Sequence, residues 1–472
     1  MRIHTTSHSM IADLTSPVAA YLRLRSRYPR SLLLEGSDYH NHDDARSFIC
    51  CDPIAEFKVE NGILYRSMLG SDLPPQPVEP GAGFAKEVSS FLASFSVDTT
   101  PLPKGVVNGI FGYSAFDSIE LMEQISLKTA RNPETSIPQA HFIAYRFILA
   151  FDHFKNEAHL VENRPEGEET SSLRQAFMDT AFNGPLSVGT FKTVEPERSA
   201  LTDEEFKELI VTCKKHIARG DVFQIVPSRR FTRRFVGDDF QVYRCLRSIN
   251  RSPYLFYGDF GEFRLFGSSP EAQTIVRDGV AELYPIAGTV PRHGDDKEDR
   301  ARVERLLEDP KENAEHAMLV DLARNDLSRR CKGVHVSTFR EVQTFSHVIH
   351  LVSRVKGSMT ARDLAPQILA DTFPLGTLSG APKYRAIELL DEHERIRRDH
   401  YGGCIGFFGF NGDAVFAIMI RSFLSKNDTL TYQVGMGVVL DSVPDVEVQE
   451  ANAKVRALRL AIEKAQELRG EV

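Results

Sequence analysis

The chain of 472 residues has no tryptophan, only six cysteines, no long apolar run and no excess of basic residues. The missing tryptophan excludes nothing by itself. The cysteines, at positions 50, 51, 213, 245, 331 and 404, form no CxxC motif and no disulfide framework, which predicts reduced thiols and no nucleophilic cysteine. No stretch approaches the apolar length of a membrane span, and the first residues lack the basic-then-apolar order of a signal peptide. These absences predict a cytoplasmic protein that does not enter a membrane.

The overall charge argues against another class of function. The formal net charge is −8, whereas sequence-independent nucleic-acid binding needs a net basic surface. The hydrophobic content of 42% and the charged content of 26% are typical of a globular protein. The length allows two or three domains around a large core.

The pattern of apolar residues divides the chain into two parts. Residues 1–190 alternate short apolar runs with turn signals, which predicts a β-rich part. From Thr202 the pattern becomes helical, because Thr202 and Glu205 form a capping-box signature and apolar residues follow at helical spacing until Gly220. We therefore predict an N-terminal part, 1–190, and a second part, 200–468. Strands in the first part are expected at residues 31–35, 47–50, 109–113 and 141–148.

Several strands of the second part carry polar residues. The segment VFQIVPSRRF predicts one strand with Gln224 inside it, and a glutamine there is either a satisfied core amide or a polar group that faces a cavity. Asp278 and Gly279 predict a hairpin turn. Further strands are expected at residues 414–421, which end on Arg421, and at residues 432–439, which contain two glycines. An arginine that ends an apolar strand is expected to meet a carboxylate.

Two predicted helices carry glutamates on one face. Glu312 and Glu315 share a face of a helix that Asp309 caps, and Glu447 and Glu450 share a face of the last helix. Such faces are ordinarily solvated salt-bridge surfaces. Alternatively, if the two helices face each other, their oxygen donors would suit a hard cation such as Mg²⁺. Spacing does not decide between the two.

The order of the motifs identifies a family. GDVFQIVPSRRF, GSSPE, PIAGT, KENAEHAMLVDLARNDL, HVIHLVSR, GTLSGAPK, YGGCIGFFGF, AIMIR, VGMGVVLDS and the terminal ExxE helix occur in the order seen in the chorismate-utilising enzymes. The resemblance is greatest to the anthranilate synthase component I family. It covers about residues 203–468 and extends more loosely to the N-terminal LLLE and SFICCDP segments. It implies an α+β fold of large antiparallel sheets flanked by helices, with a β-rich, regulatory N-terminal portion.

The resemblance also implies a reaction and a metal. The family converts chorismate and ammonia to anthranilate and pyruvate and requires Mg²⁺. Glu315 and Glu450 would be Mg²⁺ ligands, and Glu312 and Glu447 would bind the ion directly or through its waters. A divalent cation makes physical sense because chorismate is a dianion that four glutamates would otherwise repel.

The remaining site residues follow from the same motifs. The resemblance implies that the substrate's carboxylates are held by Arg421, Tyr401, Lys454 and the backbone amides of Gly435 and Gly437.

The resemblance assigns four catalytic residues. Glu271 would be the general acid, with a pKa raised by burial beside other acids. His350 and Thr377 would lie against the reacting ring, and His350 would assist the elimination of pyruvate. Gln224 stands where isochorismate and salicylate synthases have a lysine that activates water, so ammonia is the expected nucleophile.

One position separates this branch from a close alternative. The aminodeoxychorismate synthase component has a lysine in its PIKGT segment, where this chain has Ala287. Alanine cannot form the covalent adduct for which that lysine is used. The aminodeoxychorismate synthase component is therefore the second hypothesis.

The family's partner and inhibitor give two more expectations. The sequence shows no fused amidotransferase and no glycine-rich nucleophile elbow around a cysteine, so a separate glutamine amidotransferase subunit is expected, in a heterotetramer or larger assembly. Tryptophan is the expected feedback inhibitor. Gly36 stands where the family has serine, which predicts inhibition that persists but is weak. The implied inhibitor-binding residues are Glu35, Gly36, Arg46, Pro253, Tyr254 and Leu255.

Overall fold

The computed structural model describes residues 1–36, 45–99, 101–168, 171–292, 294–344 and 348–468. The strands in these ranges are β1 (Arg2–Ile11), β2 (Leu32–Gly36), β3 (Arg46–Glu60), β4 (Ile63–Met68), β5 (Ser71–Pro77), β6 (Ser96–Thr99), β7 (Gly109–Ser114), β8 (Ala140–Asp152), β9 (Glu157–Pro165), β10 (Phe191–Thr193), β11 (Arg198–Ser199), β12 (Gln224–Ile225), β13 (Ser228–Gly237), β14 (Tyr254–Asp259), β15 (Phe263–Ser269), β16 (Ala272–Arg277), β17 (Val280–Leu283), β18 (Ile286–Pro291), β19 (Cys331–Thr344), β20 (Val348–Met359), β21 (Gly380–Ala381), β22 (Cys404–Gly409), β23 (Ala414–Ile418), β24 (Ser422–Lys426) and β25 (Thr429–Gly435). The α-helices are α1 (Pro17–Leu24), α2 (Gly83–Ala93), α3 (Ile119–Met122), α4 (Ser171–Asn183), α5 (Asp203–Ala218), α6 (Phe240–Ile249), α7 (Asp296–Glu308), α8 (Pro310–Ser328), α9 (Ala365–Thr372), α10 (Lys383–His393) and α11 (Pro444–Glu467).

Most strands belong to two large sheets that share β3 and β8. The first sheet has the order β6-β1-β9-β8-β3-β2-β14-β15-β24-β25-β13, and β10 and β11 pair with β13. The second has the order β5-β4-β3-β8-β7-β22-β23-β16-β17-β20, and β18 and β19 pair with β20. Within the described ranges every pair in these sheets is antiparallel except β1 with β6. The long strands β3 and β8 pass from one sheet to the other, with an irregular register near Pro53.

Successive side chains of a strand point to opposite faces of its sheet, and the two faces pack against different elements to form four layers. Cys50 of β3 lies in an apolar cluster formed only by strands and loops of both sheets, so it lies between the sheets. Its neighbour Ile49 packs with α1, α4, α5, α6 and α11 on the outer face of the first sheet. Phe142 of β8 packs with α2, α3, α8 and α9 on the outer face of the second. The predicted fold class, antiparallel sheets flanked by helices, is confirmed, and its order of layers is helix, sheet, sheet, helix.

Several local predictions are confirmed. The side chain of Thr202 accepts a hydrogen bond from the backbone of Glu205, and Glu205 bonds back to Thr202, so the capping box begins α5. Asp278 and Gly279 form the turn between β16 and β17, both with positive φ, as a type I′ hairpin requires. All six cysteines are buried and free, in agreement with the expected reduced thiols.

The two predicted parts of the chain share their sheets. Strand β2 pairs with β14, and β7 pairs with β22, so strands from residues 1–190 are hydrogen-bonded to strands from residues 200–468. The division into a regulatory and a catalytic part remains a prediction about function.

Three predicted strands have different bounds in the structure. VFQIVPSRRF is not one strand, because Pro227 has no N–H to donate and separates β12 from β13. Strand β23 ends at Ile418, before Arg421, and β25 ends at Gly435. Arg421 instead has φ +49°, so the chain turns there. No helix in the described ranges combines the length and apolar character needed to cross a membrane.

Candidate active site

The predicted acid and arginine lie where two strand pairs change sheets. Chain segment β15–β16 leaves the first sheet for the second at Glu271, and β23–β24 makes the reverse crossing at Arg421. The two crossings are tied together: the N–H of Ile418 donates to the carbonyl of Glu271 at 3.0 Å, and the N–H of Ser268 donates to that of Arg421 at 3.1 Å. Arg421 has a left-handed backbone, which costs a residue with a side chain about 1 kcal/mol or more and is typical of functional sites. We call the two linked crossings, at Glu271 and at Arg421, the sheet corner.

Glu271 has the properties of an acid that works near neutral pH. The residue is 6% exposed, and Thr377 Oγ1 donates a hydrogen bond to its Oε1 at 3.0 Å. Burial raises the pKa of Glu271 to about 7, although the hydrogen bond from Thr377 and the charge of Arg421 both lower it. The expected contribution of neighbouring acids to this pKa was wrong, since burial alone raises it. A carboxyl group with this pKa still carries a proton at neutral pH in about half of the molecules.

His350 is held neutral in the same region. It lies on β20, opposite Thr289 of β18. Burial is the main cause that lowers its pKa to about 4; the charges of Arg421 and Lys454 act in the same direction, and a hydrogen bond to the backbone of Gly288 opposes them. Because the charge of Lys454 acts on His350, the first turns of α11 lie within electrostatic reach of the sheet corner. His350 is therefore uncharged at neutral pH.

Gln224 is a polar group facing the site rather than a satisfied core amide. It lies in the two-stranded ladder of β12 and β21, is buried, and donates from Nε2 to Glu315 Oε1 at 3.0 Å. Its Oε1 is buried and, among the described residues, meets no hydrogen-bond donor. A Cβ atom on Gly437 would lie 2.7 Å from Gln224 Nε2, so any larger residue there would push this amide aside.

Tyr401 and Gly435 are also in contact. The Tyr401 hydroxyl is hydrogen-bonded to the backbone of Gly435, and burial raises its pKa above the ordinary value for tyrosine. A Cβ atom on Gly435 would lie 2.8 Å from that hydroxyl. The glycine thus permits the close approach that brings the end of β25 to the tyrosine.

The four glutamates predicted as metal ligands have different surroundings. Glu315 accepts from Gln224, and Glu312 Oε2 is 3.4 Å from the position that a Cβ on Gly288 would occupy. Glu447 is buried near the start of α11, and Glu450 is exposed and pairs with Lys454 at 3.1 Å. In the part of the chain that the structure describes, no three His, Cys, Asp or Glu side chains form a group that could hold a metal ion by themselves. The role of these glutamates therefore stays a prediction.

Five of the six predicted inhibitor residues line a separate cavity of about 590 Å³. Glu35, Gly36, Arg46, Tyr254 and Leu255 all contribute to its wall. Pro253, the sixth predicted residue, is not part of that wall. Glu35 also accepts hydrogen bonds from Tyr243 and from Arg247 Nε at 2.9 Å.

Two residues near the site were missed in the sequence. Glu394 and Arg398 are buried and bonded to each other behind Tyr401. The only sequence signal is a Glu and an Arg four positions apart in EHERIRRD, which is typical of an exposed helix surface. Their burial depends on long-range packing that the local pattern does not contain.

The comparisons with known proteins agree with this geometry. Residues 39–459 match the profile of a family described as chorismate binding enzyme. The anthranilate synthase component 1 of Acetivibrio thermocellus is 37% identical, over 97% of this chain and 95% of that protein. The protein of the same name from Aquifex aeolicus (strain VF5) is 34% identical, over 98% of this chain and 95% of that protein.

Solved structures give the same result for the fold. The crystal structure of anthranilate synthase component I from Streptococcus pneumoniae TIGR4 superposes with a TM-score of 0.77 and 32% identity, covering 95% of this chain and 98% of that one. The menaquinone-specific isochorismate synthase from Escherichia coli superposes with a TM-score of 0.74 at 20% identity, covering 98% of this chain and 94% of that one. At 20% identity the second likeness concerns the fold alone.

The raised pKa of Glu271 predicts a measurable pH dependence of stability. The folded state binds the Glu271 proton more tightly than the unfolded state does. The contribution of this proton to the free energy of unfolding is therefore complete below pH about 4.5 and is lost as the pH rises through about 7. Over that interval the wild type should lose about 3 kcal/mol of unfolding free energy relative to E271Q, which has no proton to lose. Urea unfolding of both proteins at pH about 4.5 and about 8 measures this difference. The exposed E262Q serves as the control, and equal pH profiles for wild type and E271Q would contradict the burial argument.

Proposed function

The chain belongs to the chorismate-binding enzyme family, and we propose that it is the subunit of an anthranilate synthase that converts chorismate and ammonia to anthranilate and pyruvate. The reaction makes it a carbon–oxygen lyase. The observation that carries the proposal is the sheet corner itself, where a buried Glu271 with a pKa of about 7 faces Thr377 and Arg421. The full-length similarity to two proteins named anthranilate synthase component 1 supports the choice of reaction.

Glu271 supplies the proton for the first step. Hydroxide is a poor leaving group, so loss of the ring hydroxyl needs a general acid. A carboxyl group of ordinary pKa would be ionised at neutral pH and could not donate. The burial of Glu271 keeps it protonated in about half of the molecules, and Thr377 fixes the direction of its carboxyl group.

Gln224 suits ammonia as the nucleophile. Its Nε2 is engaged by Glu315, which fixes the orientation of the amide and leaves Oε1 as the atom presented. An amide oxygen accepts a hydrogen bond from ammonia but cannot remove a proton from water at neutral pH. Ammonia needs no such activation, because it is already a nucleophile.

The basic and polar groups around the corner hold the substrate and complete the reaction. Arg421 and Lys454 offer cations to the two carboxylates of chorismate, and the Tyr401 hydroxyl and the amide of Gly437 offer further donors. The backbone of Gly435 is bonded to Tyr401 and so fixes the position of that hydroxyl. His350, neutral because its pKa is about 4, lies against the reacting ring and assists the elimination of pyruvate.

The glutamates fit a magnesium ion that is held partly by the substrate. Mg²⁺ usually keeps several waters and binds one or two carboxylates together with an anionic ligand, so it needs no group of three protein ligands. Glu315 and Glu450 would be its carboxylate ligands, with Glu312 and Glu447 beside them. The carboxylate donors fit a hard cation, and Gln224 already orients Glu315. Bound there, Mg²⁺ would neutralise the ring carboxylate and withdraw charge from the ring.

Ammonia would come from a separate glutamine amidotransferase subunit in the cytoplasm, in a heterotetramer or larger assembly. This expectation rests on the resemblance to the family. The aminodeoxychorismate synthase reaction remains the alternative, and the product of the reaction separates the two.

Tryptophan would bind in the cavity of Glu35, Arg46 and Tyr254 and reduce activity. The position of that cavity supports such control. Tyr254 is paired with Ser269, two residues before Glu271, and Ala417 of the cavity wall precedes Ile418, whose N–H donates to Glu271.

Turnover gives the first test of the function. The purified chain with chorismate, Mg²⁺ and an ammonium salt should form anthranilate and pyruvate in equal amounts. E271Q should lower kcat by about 100-fold or more, because it removes the proton donor. The wild-type kcat/KM should fall as the pH rises through about 7. Product fluorescence and mass spectrometry measure the outcome, and 4-amino-4-deoxychorismate as the product would reject the proposal in favour of the alternative.

Metal removal gives the second test. Chelation should abolish activity, and added Mg²⁺ should restore it. E315Q and E450Q should each need at least about tenfold more Mg²⁺, whereas E463Q, an exposed change further along α11, should respond like the wild type. Electron paramagnetic resonance measures the binding of Mn²⁺ in the presence of chorismate and so tests the metal site independently of turnover. Full activity in excess chelator would rule out the metal.

Titration with tryptophan gives the third test. Inhibition should appear only at tryptophan concentrations on the order of a millimolar, because Gly36 lacks the serine hydroxyl of the family. G36S should tighten inhibition by about tenfold, the value of one good hydrogen bond. The absence of any inhibition by millimolar tryptophan in both proteins would refute a tryptophan site in this cavity.

A further inference from the structure

A buried ion pair lies behind the proposed active site. Glu394 caps the end of α10 and is 5% exposed, and Arg398, four residues later, is 2% exposed. Arg398 donates from Nε to Glu394 Oε2 at 2.8 Å and from Nη2 to Glu394 Oε1 at 2.6 Å. The desolvation cost of a buried pair of this kind is offset by its mutual attraction only when its remaining donors and acceptors are also satisfied.

The remaining donors of Arg398 join two segments of the site. Nη1 donates to the carbonyl of Leu378 at 2.6 Å, and Nη2 donates to the carbonyl of Val226 at 2.6 Å. Leu378 follows Thr377, which holds the carboxyl group of Glu271, and Val226 is two residues after Gln224. One guanidinium therefore fixes the distance between the chain segments that carry Thr377 and Gln224.

The guanidinium also packs against a third segment. It lies over the ring of Phe116 at 4.8 Å and over the ring of Tyr401 at 5.8 Å. Cation–π contacts of a desolvated arginine restrain the ring that they cover. The Tyr401 hydroxyl is the end of that ring that reaches Gly435.

Glu394 extends the connection to the first sheet. Its Oε1 accepts from the backbone N–H of Ser228 at 2.8 Å and from Ser228 Oγ at 2.7 Å. Ser228 Oγ in turn accepts from Gln433 Nε2 at 2.6 Å, and Gln433 is two residues before Gly435. Through these bonds and ring contacts the ion pair is connected to four segments that carry predicted site residues, namely Gln224, Thr377, Tyr401 and Gly435.

We propose that Arg398, held by Glu394, is a positioning residue of the reaction, which sets the relative placement of Gln224, Thr377 and Tyr401 without touching the substrate. The inference rests on the proposed function for its catalytic consequence. Arg398 directs its hydrogen bonds at protein carbonyls and at Glu394, and its guanidinium packs against aromatic rings. A lysine cannot replace it, because an ammonium group lacks the planar fork that spans a carboxylate and two carbonyls.

Two variants test the role without leaving a lone buried charge. E394Q/R398M removes both charges, and the amide oxygen that the first substitution introduces can still accept from Ser228; R398K keeps the charge but not the fork. The pair Arg385 and Glu388 lies on the exposed surface of α10 at 3.0 Å, so R385M/E388Q is the matched control. A displacement of about 1 Å in a catalytic constellation lowers the rate by about 100-fold, so kcat of the double variant should fall by about that factor. KM for chorismate should rise by a smaller factor, because Tyr401 supplies only one of several donors to the substrate. The kcat of R398K should fall by about tenfold, which lies between the wild type and the double variant.

The pH profile separates positioning from mere loss of stability. If Leu378 is released, Thr377 moves away from Glu271, and the hydrogen bond that lowers the pKa of Glu271 weakens. The fall of kcat/KM near pH 7 should then shift to higher pH in E394Q/R398M and in R398K, and stay in place in R385M/E388Q. Loss of folded protein alone lowers the rate at every pH and does not move the profile.

Hydrogen exchange tests the physical hold without any substrate. The amides of Phe223, Ile225 and Val226 donate to Ala381, Val438 and Ser379, across the contacts that Arg398 secures. These amides should exchange faster in R398K than in the control, with amides of α5 unchanged. A wild-type kcat, pH profile and exchange pattern in R398K would overturn the inference. If the wild type made no anthranilate, the proposed function would fail, and the exchange result would still decide whether Arg398 holds these segments.

Discussion

A carboxyl group that keeps its proton at neutral pH must be kept away from water, and the sheet corner is built around that requirement. Glu271 lies between two strands that belong to different sheets, so the chain on both sides of it is covered by other strands. The neighbouring crossing places Arg421 in a left-handed conformation. Burial opposes ionisation of Glu271 more strongly than Arg421 and Thr377 favour it. The bend of the sheets is thus the structural origin of the acid.

The same burial acts in the opposite direction on His350. Desolvation disfavours the charged form of any group, so it raises the pKa of a carboxyl group and lowers that of an imidazole. In water histidine holds its proton to higher pH than glutamate does, with reference values of 6.5 and 4.5. At the corner the values are about 7 for Glu271 and about 4 for His350, so their order is reversed. Between those values both groups are uncharged, because Glu271 keeps its proton and His350 has lost its own.

The sequence predicts local features of this arrangement better than its long-range ones. The capping box of Thr202 and the hairpin turn at Asp278 depend on residues a few positions apart, and both were predicted. The family motifs also pointed to Glu271, Gln224 and Thr377. The pairing of β2 with β14 joins residues far apart in the chain, such as Leu34 and Phe256, and no local pattern contains that register. Arg398 was missed for the same reason, since only the packed structure distinguishes a buried pair from an exposed one.

The continuity of the sheets also connects the separate cavity to Glu271. The cavity of Glu35 and Tyr254 has its wall on β14, and β14 is bonded to β15, the strand that ends just before Glu271. A ligand shifts such a structure only if it binds two arrangements with different affinity. The corner provides two strand crossings that are linked through Ile418 and Ser268, so a shift of β14 relative to β15 would be passed on to the backbone of Glu271. The shared sheets therefore give a contiguous route between the cavity and the acid, without a separate domain movement.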